Sequence, residues 1–371
     1  MLEALINKEP EENEMLTRRL LLKTTTGILG AAIASPAIIG RASAAGETLY
    51  IADSGGSVTK IYREALYDPF EKETGIRIEA VVRSPQPVAQ MKSMVETRNY
   101  TFDATVGGGM DQGAFYAQNG LIEEFDLPKE LFDDLPAAVR NIRGFVPDTI
   151  SAFSTIYRPS ATKRQLSSVA DIWDMSIKGT RSLPRSGRDT IEWALRADGV
   201  PAGEAIAKEL QTEAGWKRAF AKLDEIKPNI LIWWTNAPHS AQILHNGEVD
   251  IVPTYTNRAY DLMAQGEKLE IMWNEGYYTA YGWAIPKGNP KAELVEKLIL
   301  YSLDPERQAK RAAPTGQGTP SAKAFKFIEE NKSKLLPTHP DNFSKLVPLD
   351  YQFWGANLTK ANERFNEWLA K

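Results

Sequence analysis

Two short stretches place an arginine at the start of an expected helix, directly after an expected strand. One reads Arg185-Ser186-Gly187-Arg188-Asp189, the other Tyr255-Thr256-Asn257-Arg258. A guanidinium is a rigid fork of donors that matches a carboxylate, and a helix N-terminus adds free N–H groups for an anion. Arg188 and Arg258 are therefore candidate carboxylate contacts, while Arg181 and Arg185 are read as solvated or ion-paired surface groups. Asp189 has two open readings, as a partner for an ammonium or as a cap for its own helix. Tyr255 and Tyr281 offer aromatic faces with hydroxyls to spare. In Trp233-Trp234, strand alternation turns one ring away from the core, and Trp234, nearer the strand end, is the one expected in a cleft.

Other candidates lie on loops at strand ends. These are Asp53-Ser54-Gly55-Gly56-Ser57, Ser84-Pro85-Gln86-Pro87 and Gly107-Gly108-Gly109-Met110-Asp111. Glycine lets the backbone approach a small solute, although ordinary turn chemistry uses it equally. Asp53, Ser54, Gly55, Gly109, Met110 and Ser186 complete the candidate ligand-binding set.

Catalytic motifs are absent from the sequence. His239, His245 and His339 have no metal-ligand spacing, and there is no cysteine. No P-loop or G-x-S-x-G elbow occurs, and Gly107-x-Gly109-x-x-Gln112 lacks the third glycine of a dinucleotide site. We assign no catalytic residue, no metal and no cofactor, and expect a binding protein rather than an enzyme.

The elements that would position these loops alternate in type. Strands are expected at 48–52, 76–82 and 102–106, with helices at 58–70 and 88–98 between them. Two successive βαβ units imply parallel strands with right-handed crossovers, hence an open α/β sheet. The second half repeats the style, with strands at 180–184, 230–234, 249–253, 269–273 and 279–286 and helices at 189–197, 239–246 and 257–265. The tail reads as helices at 291–302, 304–312, 321–331 and 357–370. Ligands of open α/β sheets lie beyond the carboxyl ends of the strands, which is where the candidate residues fall.

The chain has 371 residues, 43% hydrophobic and 25% charged, enough for two lobes around sizeable cores. Its net charge of −4 argues against a nucleic-acid or anionic-membrane binder. Thr17-Arg18-Arg19-Leu20-Leu21-Leu22-Lys23, an interrupted apolar stretch at 24–40 and Ala42-Ser43-Ala44 have the parts of a cleaved export signal. The paired arginines resemble a twin-arginine signal. Residues 1–44 carry five acidic and five basic groups, so the mature chain keeps the charge of −4. A soluble, monomeric periplasmic protein is expected, with no lipid anchor because no cysteine follows the cleavage site.

Longer stretches carry a family resemblance. The segment from Tyr50 to Gly75, ending Asp-Pro-Phe-Glu-Lys-Glu-Thr-Gly, is similar to the opening βα unit of the polyamine-type (spermidine/putrescine) periplasmic solute-binding proteins. So are Phe102-Asp103-Ala104-Thr105-Val106, Asn119-Gly120-Leu121-Ile122-Glu123, Asn246-Gly247-Glu248-Val249-Asp250 and Trp283-Ala284-Ile285-Pro286. The resemblance covers essentially all of 47–371. It implies the type II periplasmic-binding-protein fold, an α/β fold of two lobes, each an open sheet flanked by helices, with the solute in the cleft between them. It also implies delivery to an ABC permease in the inner membrane. By analogy, residues 47–153 with about 284–320 form the first lobe, and 154–283 with about 321–371 the second. The chain is expected to cross between them near 152–155, 283 and 320.

The family's site residues transfer only in part. One acidic position falls on Asp189, the other on Ser186, and an acid before the last strand becomes Tyr281. The expected solute is therefore a small carboxylate-bearing molecule, amino-acid-like such as γ-aminobutyrate or a dicarboxylate such as malate. Spermidine/putrescine binding and a ligand-sensing periplasmic subunit are the alternatives.

Overall fold

A computed structural model describes residues 46–84 and 86–371. The expected export signal and its arginine pair lie outside the described residues. Among the described residues nine strands form one sheet: β1 (Thr48–Asp53), β2 (Arg77–Val82), β3 (Ala104–Gly109), β4 (Phe145–Tyr157), β5 (Arg181–Pro184), β6 (Ile230–Trp234), β7 (Ile251–Tyr255), β8 (Glu270–Ala284) and β9 (Val347–Pro348). Their order is β2-β1-β3-β8-β4-β7-β5-β6, with β9 paired to β8. β1 runs parallel to β2 and β3, and β5 runs parallel to β6 and β7, as the βαβ pattern predicts.

Two antiparallel strands join these parallel groups. β4 pairs with β8 from Phe145↔Ala284 to Tyr157↔Glu270, and its second half also pairs with β7. The first end of β8 lies against β4, while its last residues, Tyr281 to Ala284, also pair with β3. Two large cores sit on either side of this junction. One gathers Leu49, Ile51, Leu66, Phe70, Val106, Trp283 and Val295. The other gathers Phe153, Leu183, Trp193, Trp216, Val252, Tyr277 and Trp354.

Three differences from the expected elements have physical causes. β4 was not anticipated as a strand, because Pro147 breaks its pattern and every residue in it is buried. The proline sits where the register with β8 shifts, a position that tolerates a missing N–H. The two strands expected at 269–273 and 279–286 are one strand, interrupted by a bulge around Glu275, whose φ is +62°. The Glu275 carboxylate accepts the Val169 N–H at 2.6 Å, which ties the bulge down. Arg181, read as a surface group, is buried and makes no ion pair among the described residues. Its guanidinium donates instead to the carbonyls of Ile172, Asp174, Ile177 and Gly179 at 2.7–2.9 Å.

The last helix starts six residues earlier than its apolar spacing suggested, at Tyr351–Leu369. Asp350 caps it by accepting the Phe353 N–H, and Trp354 and Trp368 anchor it through indole N–H bonds to Glu192 and Asp224, each 2.7 Å. This docking carries Leu349 and Tyr351 to the carboxyl ends of the strands.

Candidate functional site

The helix Gly187–Ala197 begins where β5 ends. Its N-cap is Ser186, whose hydroxyl faces the Asp189 N–H at 3.4 Å. Gly187 is required there by contact: a Cβ would lie 2.5 Å from the backbone of Ala361 on the last helix. Arg188 Nε donates to Asp189 Oδ1 at 2.7 Å, and the Tyr277 hydroxyl donates to the same oxygen at 2.6 Å. Ser186, not Asp189, is the cap of this helix, and Asp189 makes a salt bridge with its neighbour.

The electrostatics follow from burial. Burial alone would raise the Asp189 carboxyl's pKa, but the Arg188 charge and the hydrogen bonds from Arg188 and Tyr277 hold it below its ordinary value. Burial alone would lower that of Arg188, but Asp189 and the surrounding tyrosines raise it well above its usual value, so it stays charged. Burial and the Asp189 charge push Tyr277 up. Tyr281 is pushed up by Tyr255 and by burial, and Tyr255 by burial and Asp189. All three hydroxyls stay neutral and keep a proton to donate.

A cavity of about 270 Å³ opens in front of this group. Arg188, Tyr255, Thr279 and Tyr281 line one wall. Arg83, Gly107, Gly109, Asp111, Gln112, Leu349 and Tyr351 line the rest of the cavity, with Gly109 paired directly to Tyr281. The volume lies just below the ~300–1,000 Å³ typical of drug-sized ligands, so the space suits a small solute.

The remaining sequence candidates lie elsewhere. Asp53 is buried and accepts the Gly55 N–H and the Thr59 hydroxyl at 2.8 and 2.6 Å, which fixes the turn after β1. Gly55, at φ +76°, is packed against Val82. Ser54 reaches the cavity indirectly, by accepting Arg83 Nη2 at 2.9 Å. Met110 is buried in a cluster with Ala114, Phe145 and Ile150. Trp234 is buried beside Phe153 with its indole N–H on the Pro253 carbonyl, and Trp233 packs on Phe365 and Trp368. Each ring packs on other aromatic residues, and neither lines the cavity. Arg258 does not line the cavity; its guanidinium lies 3.8 Å from Asp261 on its own helix.

Arg83, Gln112, Leu349 and Tyr351 were missed. A signal existed for Arg83, which directly follows the expected strand 76–82 and so meets the same rule that selected Arg188. Leu349 and Tyr351 gave no such signal, because only the docked last helix brings them in.

With this geometry in place, comparison with known proteins becomes specific. Residues 65–338 match the family of bacterial extracellular solute-binding proteins. The chain belongs to that family. It is 30% identical over 340 residues to the gamma-aminobutyric acid-binding protein of Pseudomonas aeruginosa, covering 89% of this chain and 93% of that one. It is 23% identical over 299 residues to the spermidine/putrescine-binding periplasmic protein of Escherichia coli, covering 76% and 81%. An ABC transporter substrate-binding protein from Bradyrhizobium japonicum superposes with a TM-score of 0.74 at 27% identity, covering 87% and 99%. The chain is a two-lobed solute-binding protein of the ABC-transporter class, as the resemblance to the polyamine-type family implied. Its cleft takes a small solute, and the family is one of binding proteins rather than enzymes.

Proposed function

We propose that this chain is exported to a periplasm, captures a small carboxylate-bearing solute there and delivers it to an ABC permease in the inner membrane. The observation that carries this reading is Arg188: a charged, largely buried guanidinium at a helix start, held by Asp189 and lining the cavity. A guanidinium in that setting favours an anion, and the planar carboxylate suits its fork. The solute is amino-acid-like, such as γ-aminobutyrate, or a small dicarboxylate such as malate. The gamma-aminobutyric acid-binding relative supports the former.

The lobes are placed at 47–153 with about 284–320, and at 154–283 with about 321–371. The composition of the two cores supports this division. The cavity walls then come from different lobes, Arg83 from the first and Arg188 from the second. A solute touching both favours closure by its higher affinity for the closed state. Arg83 replaces Arg258 as the second arginine of the site. We assign the protein no catalysis and a monomeric state.

A polyamine reading has the Escherichia coli relative in its favour. The cavity speaks against it, because two guanidinium groups line it and Asp189 is already committed to Arg188. The deciding experiment is a thermal-shift screen of amino acids, ω-amino acids, dicarboxylates and polyamines, followed by calorimetry on Arg188→Ala with the best ligand. Tight spermidine or putrescine binding, unchanged in the variant, would restore the polyamine reading.

A further inference from the structure

The charged groups that line the cavity differ in how they are balanced. Arg188 meets Asp189 at 2.7 Å, so that arginine already has an ion partner within the protein. Arg83 and Asp111, which line the same cavity, make no ion pair among the described residues. The Arg83 guanidinium has one side-chain hydrogen bond, to Ser54, and its Nε is buried with no partner. The Asp111 carboxylate has no side-chain hydrogen bond among the described residues and lies back over Gly109 beside Tyr281.

The glycine run makes this arrangement possible. A Cβ at Gly108 would come within 2.4 Å of Gln112 Oε1 and one at Gly109 within 2.6 Å of Asp111 Oδ1, while the Arg83 guanidinium lies at ordinary contact distance, 3.8–3.9 Å, from the Cβ positions of Gly107 and Gly108. The backbone of 107–109 is thus a bare floor on which an arginine, a glutamine and an aspartate all lie close to the cavity. Two opposite charges exposed to one small cavity, yet not joined to each other, call for a ligand bearing both signs.

We propose that Arg83 and Asp111 read the two ends of a zwitterion, Arg83 joining Arg188 on the carboxylate and Asp111 taking the ammonium, so that the solute is an ω-amino acid. The inference rests on the carboxylate-binding reading above and narrows it. A dicarboxylate would set its second anion against Asp111, and a diamine would set a cation against Arg83.

Three four-carbon probes separate these cases: γ-aminobutyrate, succinate and putrescine, titrated calorimetrically into the wild-type protein, Arg83→Gln and Asp111→Asn. Melting curves without ligand check that each variant is folded. The wild type is expected to prefer γ-aminobutyrate over both others by about 100-fold or more. Asp111→Asn should weaken γ-aminobutyrate by about 30-fold or more while leaving succinate unchanged or tighter. Arg83→Gln should weaken γ-aminobutyrate and succinate alike, without weakening putrescine. Either variant binding γ-aminobutyrate within about threefold of the wild type overturns the assignment of that residue. A wild-type preference for succinate, lost in Arg188→Ala, overturns the zwitterion and leaves the carboxylate reading standing. Tightest binding of putrescine overturns both, as does no binding to any carboxylate of the wider screen.

Discussion

Arg188 Nε donates to Asp189 Oδ1 at 2.7 Å, so two residues adjacent in the chain neutralise each other inside the fold. With only 17% and 7% of these side chains exposed, neither charge has enough water to stand alone. Removing Asp189 leaves a buried cation without its partner, which typically costs about 3–5 kcal/mol. Asp189→Asn is therefore expected to lower the midpoint of chemical unfolding without changing its slope. An unchanged midpoint would contradict the arrangement.

The same pair sets an acid limit. The Asp189 carboxyl is held below its ordinary pKa in the folded protein. A depressed carboxylate contributes stability that is fully present above its unfolded pKa, about 3.9, and is lost as pH falls through the folded value. Stability measured from pH 5 downward should fall less steeply in Asp189→Asn than in the wild type. Parallel curves would mean that the pair contributes nothing to the acid transition.

Ligand binding should depend on the other partner. Truncating one member of a buried, hydrogen-bonded charge pair typically costs about 2–5 kcal/mol, or roughly 30- to 4,000-fold in affinity. Arg188→Ala is expected to lose that much for a carboxylate ligand. In the wild type, ligand at about 1,000 times its dissociation constant adds about 4 kcal/mol, which raises Tm by about 6 °C in a chain of this size.

Gly187 supplies a packing test. A Cβ there would sit 2.5 Å from the Ala361 backbone, which cannot swing aside as a side chain would. Overpacking of this kind costs about 1–3 kcal/mol. Gly187→Ala should lower Tm and, by pushing the Arg188-bearing helix off the last helix, weaken ligand binding as well. Loss of stability with full affinity would show that the two helices shift without disturbing Arg188.

Export and closure have separate readouts. Changing Arg18 and Arg19 together to Lys should leave precursor in the cytoplasm, whereas mature protein at normal periplasmic levels would point to the general secretory route. Saturating ligand should reduce the radius of gyration measured by solution scattering. An identical curve would argue against closure, though not against binding. Because Trp234 is buried beside Phe153 rather than lining the cavity, its emission is not the signal to follow.

The α/β character and most elements of the parallel groups were legible from apolar spacing alone. Arg188, Tyr255, Tyr281 and Gly109 were found by the strand-end rule, and all four line the cavity. The rule failed where a side chain's direction depends on what covers it. Trp234 ends a strand as Tyr255 does, but its ring packs on Phe153 and its indole N–H bonds the Pro253 carbonyl, contacts with distant strands that no count along the sequence reveals. Arg258 opens a helix as Arg188 does, yet turns to Asp261 on its own helix. Tyr277, which fixes Asp189, fell between two expected strands because the bulge at Glu275 hid the continuity of β8.

The pairing of β4 with β8 also constrains the order in which this protein can be made. Phe145 meets Ala284, well over a hundred residues later, and the same end of β8 completes the sheet begun by β1, β2 and β3. Such distant pairings pay their loop-closure entropy before any contact repays it, and they fold slowly. A nascent chain leaving the ribosome cannot complete the sheet around β3 until about three-quarters of its length has been synthesised. Until then β3 offers an unpaired edge, and a fragment ending near residue 153 should remain prone to association rather than behave as a small folded domain.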